Sequence, residues 1–231
     1  MDNVLIVQRV GRKPGGRAGE SQDRVCARPI PSGLLLAVAD GITTSAYGGS
    51  VARWVVDRHL AVDDVRIESI QAMGEALRSY LAGLRDTFEK EFADMPDMLA
   101  SGCCLVTMAI MNSSWVCCSL GDCSAFRLTP KVSGYEGAQI TRPQADRFSG
   151  SLTDCFGAQM PSRVNVYEGT IDAGDVVVLA SDGAKLDEIS LGQSFHPQGF
   201  NEGWLQEWAD QAIAGRYWDD ISIMGYRHTW P

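Results

Sequence analysis

The sequence predicts an α+β domain in which layers of strands and helices enclose a buried core. Several short apolar runs are rich in β-branched residues, as buried strands are. Other stretches repeat apolar residues every three or four positions, as amphipathic helices do. With 231 residues, 45% of them hydrophobic, the chain is long enough to bury a sizeable core. No linker-like segment divides it, so a single domain spanning residues 1–231 is expected.

The N-terminal half predicts two strands followed by two helices. Val4–Val10 is apolar and β-branched, and Leu34–Ala39 is a continuous apolar run of the kind found in strands that are buried on both faces. From Val51 onward apolar residues recur at helical spacing. The same spacing persists through Ile67–Phe92, which predicts a second helix that ends before Pro96.

The C-terminal half predicts six strands and one more helix. Turn residues separate the first three of these strands, which are therefore expected to form an antiparallel meander. Ala173-Gly174 predicts a turn that pairs the next two strands with each other, and Thr129–Arg163 is expected to be a long irregular excursion. The predicted strands are Cys103–Met111, Trp115–Leu120, Ser124–Leu128, Arg163–Thr170, Asp175–Ala180 and Ile221–Tyr226, and the helix covers Phe200–Ala214.

Charge and composition exclude several classes of partner. The net charge is −9 and no concentrated basic patch is present, so neither nucleic acid nor an anionic membrane is an expected partner. No apolar run approaches the roughly 20 residues of a membrane span and no signal peptide is apparent, which predicts a cytoplasmic location. The seven cysteines suit buried thiols. Strand alternation is expected to bury one member of each adjacent pair, Cys103-Cys104 and Cys117-Cys118.

Aspartates recur where the predicted strands begin or end. Asp40 and Asp182 each follow an apolar run and precede a glycine, and Asp122 lies in a turn. Asp23 comes just before a further predicted strand around Val25, and Asp219 just before the last strand. Any one of them is more commonly a turn or cap residue, so the inference depends on the whole set. If these carboxylates converge, they repel one another unless they are protonated or bound to cations. Their hard oxygens suit Mg²⁺ or Mn²⁺, and a pair of such ions activates water against phosphoryl groups.

Five segments, taken in order, resemble the metal-dependent protein phosphatase family of the 2C type. They are ESQDRV (20–25), VADG (38–41), GDCSAFRL (121–128), LASDG (179–183) and WDDISIM (218–224), and they span nearly the whole chain. The resemblance implies a four-layer α-β-β-α sandwich of two mostly antiparallel sheets flanked by helices. It also implies a bacterial-type Ser/Thr protein phosphatase that hydrolyses phosphoserine and phosphothreonine by attack of a metal-bound water.

The resemblance assigns metal-binding roles to the matched residues. Asp40 would bridge two ions, Asp182 and Asp219 would hold the first, and Asp23 would ligate the second directly or through water. Asp122 would take part in a third, weaker site. The cofactors would therefore be two or three Mg²⁺ or Mn²⁺ ions. The implied ligands are Asp23, Asp40, Gly41 (through its carbonyl), Asp122, Asp182 and Asp219, of which Asp40, Asp182 and Asp219 are the expected catalytic residues.

Substrate recognition is also implied by the resemblance. Arg17 would grip the substrate phosphate, one residue from the usual family position, and residues 141–160 would form a variable flap beside the site. The partners would be phosphorylated proteins and an opposing Ser/Thr kinase or its targets. Ile42 stands where many members have histidine, and Asp220 where the family usually has asparagine. The missing histidine and displaced Arg17 favour an alternative, a catalytically weak or inactive module that binds a phosphoprotein or another partner, whereas the retained carboxylates favour the enzyme.

Overall fold

Two antiparallel β-sheets pack face to face and carry helices on their outer faces. The computed structural model describes residues 3–11, 20–30, 33–59, 70–132, 134–146, 148–186, 200–214 and 219–229. The strand order is β1-β11-β10-β6-β7 in one sheet (sheet A) and β2-β3-β4-β5-β9 in the other (sheet B), with a short β8 paired to β4. The elements are β1 (Val4–Arg9), β2 (Arg24–Ile30), β3 (Gly33–Gly41), α1 (Gly48–His59), α2 (Ile70–Glu91), α3 (Pro96–Leu99), β4 (Gly102–Met111), β5 (Ser114–Leu120), β6 (Ser124–Lys131), β7 (Gly134–Gln139), β8 (Phe156–Gly157), β9 (Asn165–Thr170), β10 (Val176–Ala180), α4 (Glu202–Ala214) and β11 (Ile221–Arg227).

Three hydrophobic clusters show that these elements form four layers. One cluster joins sheet B to α1 and α2, and a second joins sheet A to α4. The third contains residues of both sheets, including Leu36 and Val38 of β3 and Val177 and Leu179 of β10, and therefore fills the space between them. The predicted α-β-β-α sandwich is thus confirmed. Within the part of the chain that the structure describes, no helix is long and apolar enough to cross a membrane.

The central strands of sheet B, β3, β4 and β5, are buried on both faces, which explains their continuous apolar runs. Along β3, Leu36 and Val38 face the other sheet, whereas Leu35 and Ala37 face the helices. The prediction that only one member of each cysteine pair is buried is therefore wrong. Alternation does place the two members on opposite faces, but each face is covered by another layer. All seven cysteines are buried and none forms a disulfide.

Two predicted strand pairings are also wrong, because the chain crosses between sheets at both points. β5 belongs to sheet B and β6 to sheet A, so Gly121-Asp122 links the two layers and closes no hairpin. Likewise β9 pairs with β5, and β10 pairs with β6 and β11. At the second crossing the buried Asp175 carboxylate accepts hydrogen bonds from the Asp172 N–H (2.9 Å) and from Arg127 Nε (2.8 Å). These contacts hold the connection across the sandwich, where a two-residue hairpin was expected.

The expected irregular excursion contains a strand that the sequence pattern missed. β7 (Gly134–Gln139) is an edge strand of sheet A, and its side chains are exposed or half-buried. An edge strand of this kind needs no apolar alternation, and so it lacks the signal that marks buried strands.

His228 lies at the end of the sandwich where β11 finishes, and its imidazole is only 2% exposed. Its Nδ1 lies 3.3 Å from the Tyr226 hydroxyl, and its Nε2 has no hydrogen-bond partner among the described residues. Burial lowers its pKa below the ordinary 6.5, an effect that the negative charges of Asp175 and Asp172 partly offset. The unfolded chain therefore takes up this proton at a higher pH than the native protein does.

This difference predicts that His228 makes the protein less stable as pH falls below about 6.5. We expect the loss of unfolding free energy between pH 7 and pH 5 to be smaller in His228→Gln than in wild type, since glutamine cannot take up a proton. Urea unfolding at both pH values measures the two slopes. An equal change in unfolding free energy with pH in the two proteins would contradict the expectation. All other titrating groups are the same in both, so any difference is due to His228.

Candidate functional site

The predicted aspartates meet at one end of the sandwich, where β3 and β10 finish and where β6 and β11 begin. The pKa of Asp40, which is 7% exposed, is raised well above its usual range by burial and by the negative charges of Asp23, Asp182 and Asp219. The pKa of Asp122 is raised by burial and by the charge of Asp182. Each carboxylate therefore lies within the electrostatic reach of others. These aspartates are far apart in sequence, but they meet because the strand ends that carry them lie at the same end of both sheets.

Asp23 is the most deeply buried member of the acidic cluster, with no exposed surface. Neither of its carboxylate oxygens has a hydrogen bond of good geometry to the described residues. Burial raises its pKa to about 6. The Ser181 and Ser222 hydroxyls lie near enough to offset this effect in part, although neither completes a hydrogen bond to it, and the charge of Asp220 increases it. A buried carboxylate without donors is costly, and cation binding is one way in which such a group is stabilised.

Gly41 follows Asp40 and packs against the start of α1. A Cβ atom at this position would lie 2.4 Å from the Gly48 carbonyl carbon and 2.6 Å from the Gly49 nitrogen. The Gly48-Gly49 pair, which the sequence places seven residues after Gly41, thus provides the close approach that brings α1 over the site. The following Ile42 N–H donates to the Gly102 carbonyl at 3.0 Å, which anchors this turn to β4.

Asp182 and Asp219 are neighbours because a glycine lies between them. Asp182 opens a short 3₁₀ turn, Asp182–Ala184, directly after β10. A Cβ atom on Gly183 would lie 2.0 Å from the Asp220 carbonyl oxygen and 3.3 Å from the Asp219 Cβ. Only glycine therefore lets the two acidic segments approach this closely. Lys185 Nζ lies 3.6 Å from Asp182 Oδ2, a partly exposed ion pair of small energy.

Asp219 is oriented by two donors. The Thr43 hydroxyl, three residues after Asp40, donates to Asp219 Oδ1 at 3.3 Å, and the Asp220 N–H donates to the same oxygen at 2.9 Å. The first contact links the end of β3 in sheet B to the segment before β11 in sheet A. No sequence pattern singled out Thr43, because a hydroxyl in a surface turn has many other uses.

Asp122 lies in the crossing between β5 and β6, and Gln144 holds that turn in place. Gly121 has φ +86°, and a Cβ on it would lie 2.4 Å from the Cys104 Sγ, so glycine is required there. The Gly121 N–H donates to Gln144 Oε1 and the Gln144 N–H donates to the Gly121 carbonyl, both at 2.8 Å. Residues 141–160, predicted to be a flap, thus begin beside Asp122. Sequence analysis did not identify Gln144.

One predicted residue lies outside the described structure. Arg17, the predicted phosphate ligand, falls in 12–19, and this range is not described. Ile42 lies within the described structure. The residue after it, Thr43, contributes a hydroxyl to the site through its hydrogen bond to Asp219.

The chemistry of this site favours hard divalent cations. Every acidic side chain that converges here offers oxygen, and two of those oxygens, on Asp23, are buried without donors. Among the described residues, no three His, Cys, Asp or Glu side chains are arranged so that they could hold a metal ion as they stand. The oxygen ligands are of the type that Mg²⁺ and Mn²⁺ prefer. Bound cations would also relieve the mutual repulsion of the carboxylates.

A two-sheet sandwich with helices outside and carboxylates at one end is the architecture of a phosphatase class. The family profile described as Protein phosphatase 2C matches residues 16–213. The chain belongs to the protein phosphatase 2C family, as the five ordered segments indicated. No curated protein sequence matches it significantly.

Solved structures share this fold across almost the entire chain. A bacterial serine phosphatase superposes with a TM-score of 0.86 at 13% identity, covering 99% of this chain and 98% of that one. Serine/threonine phosphatase Stp1 from Staphylococcus aureus gives 0.83 at 14% identity, covering 97% and 94%. PppA of Pseudomonas aeruginosa, described as a key regulatory component of T6SS, gives 0.77 at 21% identity, covering 97% and 96%. At these identities the likeness demonstrates the fold.

Proposed function

We propose that the protein is a metal-dependent Ser/Thr protein phosphatase that removes phosphate from phosphoserine and phosphothreonine in the cytoplasm. The observation that carries this proposal is the convergence of Asp23, Asp40, Asp182 and Asp219 at one end of a protein phosphatase 2C fold, with buried Asp23 oxygens that lack donors. The substrates would be phosphorylated proteins, and the enzyme would oppose a Ser/Thr kinase.

The carboxylates have separate tasks in this proposal. Asp40, central among the other charges, would contact two ions, with the Gly41 carbonyl beside it. Asp182 and Asp219 would hold one ion, Asp23 the other, and Asp122 a third. Bound Mg²⁺ or Mn²⁺ would lower the pKa of a water molecule and stabilise charge on the phosphoryl oxygens.

The protein's own groups orient this chemistry. Thr43 and the Asp220 N–H orient the Asp219 carboxylate, and Lys185 lies beside Asp182 on the solvent side. With a net charge of −9, the chain as a whole does not attract phosphoanions. Attraction of the substrate must therefore be local, from the bound cations and from Arg17 as the proposed phosphate ligand.

Substitution of Asp40 or Asp182 by asparagine tests the proposal. We expect each change to lower Mn²⁺-dependent hydrolysis of p-nitrophenyl phosphate and of a phosphothreonine peptide by at least about 100-fold, because a cation ligand is lost. Asp172→Asn is the matched control, since Asp172 is exposed and lies at the opposite end of the sandwich. It should retain wild-type rates.

The same assay decides between enzyme and binding module. Absence of hydrolysis in wild type with Mg²⁺ and with Mn²⁺, or equal rates in wild type and both variants, would reject the phosphatase. Binding of a phosphopeptide without turnover would then support the inactive module.

A further inference from the structure

We propose that Asp220 is a positioning residue that holds the segments carrying Asp23, Asp182 and Asp219 in one arrangement. The effect of Asp220 on catalysis rests on the proposed function, whereas the hydrogen bonds that Asp220 makes do not depend on it. Asp220 is 1% exposed and precedes β11. It follows a proposed ligand in sequence, but its own oxygens are directed to backbone groups.

Both carboxylate oxygens of Asp220 accept a short hydrogen bond from a different segment. Oδ1 accepts from the Gly11 N–H at 2.8 Å, just after β1, and Oδ2 accepts from the Gln22 N–H at 2.7 Å. Gln22 directly precedes Asp23. Hydrogen bonds to an ionised carboxylate are about twice as strong as neutral ones, and burial strengthens them further. One side chain thus connects the end of β1 and the start of β2 to the start of β11.

The backbone of Asp220 completes the connection. Its N–H donates to Asp219 Oδ1 at 2.9 Å, and its carbonyl oxygen lies against Gly183, where a Cβ would come within 2.0 Å. Asp220 therefore touches the residue before Asp23, the residue after Asp182, and Asp219 itself. A shift of this one residue would displace three of the acidic side chains together.

The carboxylate is better suited to these contacts than the asparagine usual in the family. An asparagine has the same shape but only one acceptor oxygen, so its NH₂ group would face the second N–H donor. One buried N–H would then lose its partner. The carboxylate also adds a negative charge near Asp23. If charge alone mattered, replacing Asp220 by asparagine would therefore stabilise the metal-free protein, whereas loss of a hydrogen bond would destabilise it.

Comparison of Asp220→Asn and Asp220→Ala with wild type distinguishes position from charge. If charge alone matters, Asp220→Asn relieves repulsion and stabilises the metal-free protein. If Asp220 positions the segments, Asp220→Asn lowers the urea midpoint without metal. It should also weaken Mn²⁺ binding by at least about tenfold in calorimetry, but loss of a nearby negative charge weakens that binding too, so the midpoint and amide exchange are the measurements that separate the two causes. Hydrogen exchange at the Gly11 and Gln22 amides should accelerate by at least about tenfold, at one amide in the asparagine variant and at both in the alanine variant.

Val176→Ala is the control for general destabilisation. Val176 is fully buried at the opposite end of β10, so its truncation should lower the urea midpoint while leaving the affinity for Mn²⁺ unchanged. Exchange at Gly11 and Gln22 within about twofold of wild type in Asp220→Ala would overturn the proposal, as would a metal-free Asp220→Asn protein that is more stable than wild type.

Failure of the proposed function gives a different result. If wild type hydrolyses no phosphate ester, but the exchange rates and the metal-free stability change as expected, the positioning role stands and the phosphatase assignment fails. If hydrolysis is normal in wild type and in both Asp220 variants, the positioning role fails and the phosphatase assignment stands.

Discussion

Gly183→Ala is expected to destabilise the protein by about 3 kcal/mol and to lower Mn²⁺-dependent hydrolysis by at least about 100-fold. The added methyl would lie 2.0 Å from the Asp220 carbonyl oxygen and 3.3 Å from the Asp219 Cβ. Both neighbours belong to the segment before β11, where the backbone cannot rotate away as a side chain can. The segments bearing Asp182 and Asp219 must therefore separate. Urea unfolding and hydrolysis of p-nitrophenyl phosphate measure the two effects.

Gly83→Ala is the matched control for this substitution. Gly83 lies within α2, and a Cβ there would meet no atom within 4 Å. Because alanine is favoured over glycine inside a helix, this variant should be up to about 1 kcal/mol more stable than wild type and equally active. If Gly183→Ala behaved like Gly83→Ala, the close packing of the two acidic segments would be disproved.

Asp23→Asn is expected to stabilise the metal-free protein by about 3 kcal/mol at pH 7.5. Added Mn²⁺ should stabilise this variant less than it stabilises wild type. The native pKa of Asp23 is about 6, above its ordinary value of 3.8, because the group is buried. Between about pH 4 and pH 6 the unfolded chain has released this proton while the native protein retains it. Stability due to this group is therefore full below about pH 4 and is lost as pH rises through 6.

The measurement is urea unfolding in EDTA between pH 4 and pH 8, repeated with Mn²⁺. Wild type should lose stability with rising pH relative to Asp23→Asn, and added Mn²⁺ should reverse the order at pH 7.5. Asp154→Asn is a control of opposite sign, because hydrogen bonds from Arg163 lower the pKa of Asp154. That variant should be less stable than wild type at neutral pH. A metal-free Asp23→Asn protein less stable than wild type would contradict the expectation.

Much of the fold was predictable because burial leaves a local record in the sequence. The run at Leu34–Ala39 is apolar throughout, and β3 is indeed covered on one face by helices and on the other by a sheet. The helical spacing in Ile67–Phe92 identified α2, which spans Ile70–Glu91 in the described structure. β7 escaped prediction because an exposed edge strand carries no such periodicity.

The acidic site was predictable in a more limited way. Asp40 and Asp182 stand out because each follows an apolar run and precedes a glycine, and their order along the chain matches a family pattern. By contrast, Gln144 and Thr43 are ordinary turn residues whose importance depends on what lies opposite them. Their partners, Gly121 and Asp219, are distant in sequence, so no local pattern reveals the contact.

The amino-acid sequence alone determined the family, the order of the main buried strands and long helices, and which aspartates stand at strand ends. Only the tertiary structure decided that β6 and β10 lie in the opposite sheet from β5 and β9, that Asp23 is buried without donors, and that Asp220 binds two backbone amides. The physical reason is one of range. Hydrophobic periodicity reports which face of an element is buried, whereas strand pairing and buried polar contacts depend on groups that meet only when the two sheets close on each other.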